Sequence, residues 1–272
     1  KMKLIWNMVK RDMRQNPVVT TVLGVFLLLS MLLMATGFRT MGTMFSSLTG
    51  LNKAALPPEY LQMHKGEIDE AKADEFARSV EGIEAYELVR MLNISNANIW
   101  YQGESFEAFQ MDNGLVVQNE KLDFLLEEDN QIAIVNPGEI GIPVYYSEER
   151  GIQTGDTITL KTNGYEKTFT VAHIIKDAQM NVALSGSKRL LVHKEDIKEI
   201  SAHMGEWEYI FEYLLTEDGT AETLKTAYMD ADMPANGVAI TSGLLTLINS
   251  ISYGVTAILV MFISLLLSLI AV

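Results

Sequence analysis

The chain has 272 residues, 48% of them apolar and 21% charged, with a net charge of −14 and no cysteine. The missing cysteines exclude disulfides, thiolate nucleophiles and cysteine-based zinc sites. The charge is also segregated: residues 57–240 hold 14 basic against 34 acidic side chains, a balance of −20, while the remainder carries +6. So acidic a middle region excludes nucleic acid as a partner, because binding there comes from neutralising phosphates.

In chain order, residues 1–16 read as a cytoplasmic amphipathic helix. Met2, Ile5, Trp6, Val9 and Met13 recur at helical spacing, with Lys3, Asn7, Lys10, Arg11 and Arg14 on the other side. A basic face with a tryptophan suits an anionic lipid surface, so Trp6, Lys10, Arg11 and Arg14 are the candidate membrane-surface residues. Pro17 sits where helices start. Residues 17–38 then form the first transmembrane helix, whose uncharged run Val18–Phe38 spans about 31 Å at ~1.5 Å per residue. It is longer than the apolar core of a signal peptide, which favours a retained anchor. Five basic residues precede it, so the positive-inside rule places the N-terminus in the cytoplasm and the acidic region outside the cell membrane.

Residues 39–57 read as a stalk, closed by Pro57-Pro58, and residues 58–240 as an extracytoplasmic domain large enough for its own core. Within it, Asp69 is placed to cap a helix with an inward stripe of Ala73, Phe76, Ala77 and Val80, ended by Gly82. Alternation predicts a strand over 86–94, with Arg90 out of place on the face of Tyr86, Leu88, Leu92 and Ile94. Residues 115–126 are ambiguous, and 132–135 read as a short buried strand. The clearest local signal is 156–175, two alternating runs about Asn163-Gly164, a dipeptide that favours a tight hairpin. A helix over 194–204, a strand over 208–215 and a helix over 220–231, with Ala221, Leu224, Tyr228 and Ala231 inward, complete the series. Strands and helices mix without a βαβ repeat, which predicts an α+β domain.

A second transmembrane helix is expected within 241–272, since no residue after Asp232 is charged. Ser250 with Gly254 and Ser264 with Ser268 are small residues four apart, a spacing that lets membrane helices approach closely. The chain stops inside an apolar run, so further spans are expected beyond Val272.

Catalytic patterns are lacking. His64, His173, His193 and His203 form no HExxH, and a zinc site from His193, His203 and a carboxylate has little to recommend it. There is no GxSxG, and no GxxxxGK[ST] for ATP. Glu127-Glu128-Asp129 lacks the spacing of an EF-hand loop and reads as a solvated turn. No catalytic, cofactor-binding or metal residue is assigned.

Residues 139–175, EIGIPVYYSEERGIQTGDTITLKTNGYEKTFTVAHII, resemble the FtsX-like/MacB-type permease family of ABC transporters. The matching positions are Ile140, Ile142, Pro143, Tyr146, Gly151, Gly155, Asp156, Ile158, Leu160, Phe169 and Val171, and KRLLVHKEDI at 188–197 looks like the family's following strand and helix. Pro143, Gly151, Gly155, Asp156, Asn163 and Gly164 are carried over as structural residues: the glycines let the backbone turn and Asp156 bonds turn amides. The resemblance implies a MacB periplasmic-core-like domain between two spans. It implies a non-enzymatic permease subunit, with ATP and Mg²⁺ on a separate cytoplasmic ATPase. Cargo would be peptide, lipid or lipoprotein, or the output would be mechanical. A second permease copy, an extracytoplasmic partner protein or a cationic peptide are further expected partners. A two-span sensor with an extracytoplasmic ligand-binding domain is the competing reading.

Overall fold

A computed structural model describes residues 11, 14–180, 186–242, 259, 262, 263 and 266. The chain divides into two compact units, Lys1–Leu48 with Leu247–Val272, and Thr49–Thr246.

The first unit is built on α1 (Pro17–Ala55), a helix of 39 residues whose last turns belong to the second unit. Among the described residues it is the helix long and apolar enough to cross a membrane, as a retained anchor or a signal sequence would be. Val18, Leu28, Met31 and Leu32 are each at least 65% exposed, so this apolar surface is not the inside of a soluble core. Four threonine hydroxyls within it are satisfied locally, while the buried Ser30 hydroxyl has no hydrogen-bond partner among the described residues. Thr20, Thr21, Thr36 and Thr43 return their hydroxyls to the carbonyls of Asn16, Pro17, Leu32 and Arg39 at 2.8–3.0 Å, the back-bonding that hydroxyl side chains make within a helix. About 20 residues cross a hydrocarbon core. The helix has nearly twice that length, and the residues expected to form a stalk continue it to Ala55. The second expected span lies outside the described residues, save Leu259, Phe262, Ile263 and Leu266, which are helical and exposed.

The second unit is α+β. In chain order it holds β1 (Tyr60–Lys65), α2 (Glu70–Ser79), β2 (Ile83–Ile94), β3 (Ile99–Tyr101), β4 (Glu104–Ser105), β5 (Asp112–Val116), β6 (Glu139–Pro143) and α3 (Val144–Arg150). There follow β7 (Thr157–Thr162), β8 (Tyr165–Ile175), β9 (Ser187–Val192), α4 (Lys194–Ile200), β10 (Glu206–Leu215), α5 (Ala221–Asp230) and β11 (Ala239–Thr241). The eleven strands among the described residues join one mixed sheet in the order β11-β1-β10-β2-β5-β9-β6-β8-β7-β3-β4. Among the described residues, only β5–β9 and β6–β8 are parallel.

Local chemistry sets the element ends. Asp69 accepts the Lys72 amide at 3.1 Å to open α2, and Thr220 accepts that of Thr223 at 3.1 Å to open α5. The two-residue loop Asn163-Gly164 joins β7 to β8, with Thr162 facing Tyr165 and Gly164 at φ +86°. Three packed clusters follow. Phe76, Tyr213, Leu224 and Tyr228 lie between the sheet and α2 and α5. Leu61, Val89, Met91, Ile210 and Leu191 form a second cluster with Leu125, Ala133, Val135 and Met180, which come from irregular segments. Ile142, Tyr146, Leu160, Phe169 and Ile197 fill the third.

Three expectations are corrected. Residues 132–135 keep the alternation of a strand, with Ala133 and Val135 buried and Ile132 and Ile134 exposed. They make only an isolated bridge, Leu126 to Ile132, because this stretch lies over the sheet rather than in it. Ala231 is exposed, since α5 ends at Asp230, and Ala227 takes the inward place. The strand at 86–94 begins at Ile83 and buries Val89 and Met91 on its other face, being flanked by β10 and β5. Arg90, out of place on an apolar face, leans onto α2 and grips both Glu70 oxygens at 3.1 and 2.5 Å.

Gly205, before β10, has φ +91°, and a Cβ there would stand 2.9 Å from the Asn93 carbonyl oxygen. Gly205→Ala is therefore expected to destabilise the protein by at least about 1–2 kcal/mol, the left-handed penalty alone. A urea titration of the parent and variant measures it.

Candidate functional site

The end of α1 is built into the second unit. Leu51 and Ala55 are buried against Leu126 and Ala178, with Ala54 and Phe124 beside them. Leu56 takes a left-handed φ of 51° and Pro57-Pro58 follows, so the helix cannot continue. A helix end leaves orphan carbonyls. Here a neighbouring loop caps them: the Phe124 amide donates to Ala55 O at 2.8 Å, and the Asp123 amide to Leu56 O at 2.8 Å. Lys53 in the last turn complements the negative end of the dipole.

This loop is held by a charged cluster beneath the surface. Arg189 on β9 is 1% exposed. Its Nε and one terminal nitrogen fork onto both Asp177 oxygens at 2.7 and 2.6 Å, and the other terminal nitrogen donates to Asp123 Oδ2. Asp177 Oδ1 also accepts the Gln179 and Met180 amides at 2.8 Å. Glu212 on β10 lies 3.8 Å from the guanidinium and accepts from Gln179 Nε2 at 3.0 Å and Asn119 Nδ2 at 3.3 Å. Burial disfavours the Arg189 charge, but Asp123 and Asp177 hold it well above the usual arginine range. Burial likewise opposes ionised Asp177, yet the charge and hydrogen bonds of Arg189 keep its carboxyl below the ordinary value. Lys188, the next residue on the strand, donates to Met180 O at 2.7 Å, and burial pulls it down to about 8.

The other chain connection leaves the sheet beside the first. Four residues separate Ala55 from Tyr60, and β11 pairs antiparallel with β1 so that Thr241 faces Tyr60. The Ser242 amide donates to Glu59 O at 2.9 Å, and the Glu59 carboxyl accepts the Leu215 amide at 2.8 Å. Upstream, Asn236 exchanges bonds with the Lys65 backbone at 2.8 and 2.6 Å, and buried Gln62 donates to Gly237 O at 2.9 Å. Segment 236–242 is thus fastened along the whole of β1.

The residues singled out from sequence lie elsewhere. Arg11 and Arg14 are exposed helical residues; Trp6, Lys10, Ser250, Gly254, Ser264 and Ser268 lie outside the described residues. Pro143 precedes α3, and Gly151 ends it at φ +69° with its amide on Ser147 O. Gly155, at φ +93°, donates to Val171 O at 2.8 Å. Asp156 accepts the Gln153 amide and the Tyr101 hydroxyl, each at 2.8 Å, and those bonds lower its carboxyl below the usual range. These positions, with Asn163-Gly164, organise β6, α3, β7 and β8, away from the β1–β11 end of the strand order. The histidines are occupied separately: His173 with Ile134 O at 3.0 Å, His193 capping α4, His203 stacked on Tyr165 at 4.2 Å, and His64 accepting the Asn236 amide at 3.4 Å. Among the described residues no group of three histidine or acidic side chains is placed to hold a metal. Asp123, Asp177, Arg189 and Glu212 were not found from sequence. The available signal was a pair of cations, Lys188-Arg189, opening the apolar run Leu190-Leu191-Val192.

No protein-family model matches the chain, and no curated protein matches it. Among solved structures, it is similar to a crystal structure of a domain of a provisionally named permease protein from Porphyromonas gingivalis. That likeness has a TM-score of 0.39 and 11% identity, and covers 70% of this chain and 96% of that one. At that level the functional reading rests on this chain's own residues.

Proposed function

We propose that this chain is the permease subunit of an ABC transporter of the FtsX-like/MacB type. A separate cytoplasmic ATPase supplies ATP hydrolysis, and the acidic α+β domain moves in response outside the cell membrane. The output is export or extraction of a peptide, lipid or lipoprotein, or a mechanical signal to an extracytoplasmic partner. The carrying observation is the joint: both chain connections meet the sheet at β1, one capped by residues 123–124 and the other zipped along the strand. A displacement of α1 acts on residues 122–126 through two amide hydrogen bonds and the Leu51–Leu126 packing, and Arg189 carries it to β9. The resemblance of residues 139–175 to the family passage supports the same reading, as does the basic flank before α1. In it α1 is a retained anchor, residues 241–272 carry a second span packed through Ser250, Gly254, Ser264 and Ser268, and Trp6, Lys10, Arg11 and Arg14 lie at the inner leaflet. A second permease copy pairs with it in the membrane.

The test is purification of the full-length protein in mild detergent from its native membrane, with identification of what co-purifies and an assay of vanadate-sensitive ATP hydrolysis. A stoichiometric ATPase is the expected result. Absence of both ATPase and hydrolysis overturns the permease reading and favours the two-span sensor.

A further inference from the structure

The cluster beneath the α1 end has one acid too many. Arg189, Asp123, Asp177 and Glu212 are all at most 2% exposed in their side chains. One guanidinium therefore faces three carboxyl groups. Its donors are committed to Asp177 and to Asp123 Oδ2. Among the described residues Glu212, at 3.8 Å, receives hydrogen bonds from two neutral amides and no cation. Asp123 Oδ1, meanwhile, is buried with no hydrogen-bond partner among the described residues. A buried acceptor without a donor costs about 1–3 kcal/mol, and an unpaired buried carboxylate costs more.

We propose that a single proton resolves both conflicts: Glu212 is held as the neutral acid and donates to Asp123 Oδ1, making the α1 socket a proton-held lock. The proton comes from solvent by simple equilibrium. The other charged groups around Glu212 fit this assignment. Glu87, its cross-strand partner on β2, adds a like charge while accepting the Glu120 and Lys121 amides. Glu208, four pairs along β10, is bonded to Asn93. Lys188 turns to Met180 O, and Lys176 to Glu128 O and Asn130. No cation besides Arg189 comes within ion-pair distance of Glu212 among the described residues. Burial first, and then the charge of Asp123, push the Glu212 carboxyl well above the usual range against the pull of Arg189.

The lock bears on α1 because the same Asp123 caps Leu56 O through its amide. Opening the socket exposes Glu212 to water, where it ionises above its ordinary value of 4.5. By linkage each further pH unit then favours the open form by up to about tenfold, until the closed-state acid also ionises.

The experiment uses the full chain in detergent. Amide hydrogen exchange of 122–126 is measured from pH 5 to pH 9, corrected for intrinsic exchange, beside the infrared carbonyl band of a protonated buried acid. Protection in the parent is expected to fall with rising pH by up to about tenfold per unit. In Glu212→Gln, whose amide still donates to Asp123, the acid band is lost and protection holds steady. A parent without a protonated-acid band at neutral pH overturns the proposal, as does protection of 122–126 that does not change with pH. The infrared and exchange measurements on the parent decide the matter even where the variant does not fold.

Discussion

Arg189→Leu is expected to lower stability by roughly 3–5 kcal/mol, the cost of breaking a buried ion pair from one side. Leucine fills much of the space but leaves Asp177 and Asp123 facing no cation, in a site from which water is excluded. Since domains are stable by about 5–15 kcal/mol, the loss takes roughly a fifth of the total at the least. Arg189→Lys should rescue only part, because an ammonium cannot fork onto both Asp177 oxygens. The pH dependence follows from Asp177. Its carboxyl is depressed below the ordinary 3.8 in the folded parent, so its contribution is present above that value and lost as pH falls through the folded one. Without the guanidinium the depression disappears. The gap between parent and variant is therefore widest near neutrality and narrows in acid. Denaturant titrations at pH 7 and pH 3 measure it, and a gap that widens in acid would contradict the assignment.

Tyr228→Ala is expected to have an effect of similar size, about 3–5 kcal/mol for removing a buried aromatic side chain. Its ring centroid lies 5.5–6.2 Å from those of Phe76, Tyr60, Phe211 and Tyr213, mostly edge to face, so one truncation loosens α5 from both α2 and the sheet. Its hydroxyl also donates to Pro234 O at 2.7 Å, shortly before segment 236–242 joins β1. Tyr228→Phe removes that bond alone and should cost about 0.5–1.5 kcal/mol. Thermal melts of the two variants separate packing from the hydrogen bond. Greater proteolytic clipping between 231 and 242 in Tyr228→Phe than in the parent would show that the hydroxyl holds the exit segment.

Legibility in the sequence tracked the range of the interaction. The apolar run of α1, the Asp69 cap and the Asn163-Gly164 hairpin depend on neighbours a few residues away, and each stands in the structure where its pattern predicts. The α+β class followed from the order of such local signals. The sheet order did not, because β1 pairs with β10 and β11 across most of the domain. Period-2 alternation at 132–135 was real, but alternation records burial on one side and not membership of a ladder. The acidic cluster was hidden for a different reason. Asp123 and Glu212 each interrupt an apolar run, KLDFLL and IFEYLL, as the outward position of a half-buried element also does, and Asp177 sits beside Lys176 like a surface residue. Only their meeting around Arg189 gives them meaning, and that meeting requires three segments to converge on β9.

The placement of β1 between β10 and β11 also sets a timetable for synthesis. Neither neighbour exists until residues 206–241 have been made. At about 5–20 residues per second the wait from Tyr60 to Thr241 is on the order of ten seconds or more. Through that interval β1 and the far edge of β2 present unpaired backbone, the kind of edge that recruits foreign strands. The α1 socket at 122–126 and its partner Arg189 emerge earlier. The nascent chain therefore makes most of its socket before the sheet can close, and β10 brings both Glu212 and the partner of β1. A chain that stalls before β10 keeps those edges open, which is the feature by which proteases and chaperones would tell an unfinished molecule from a finished one.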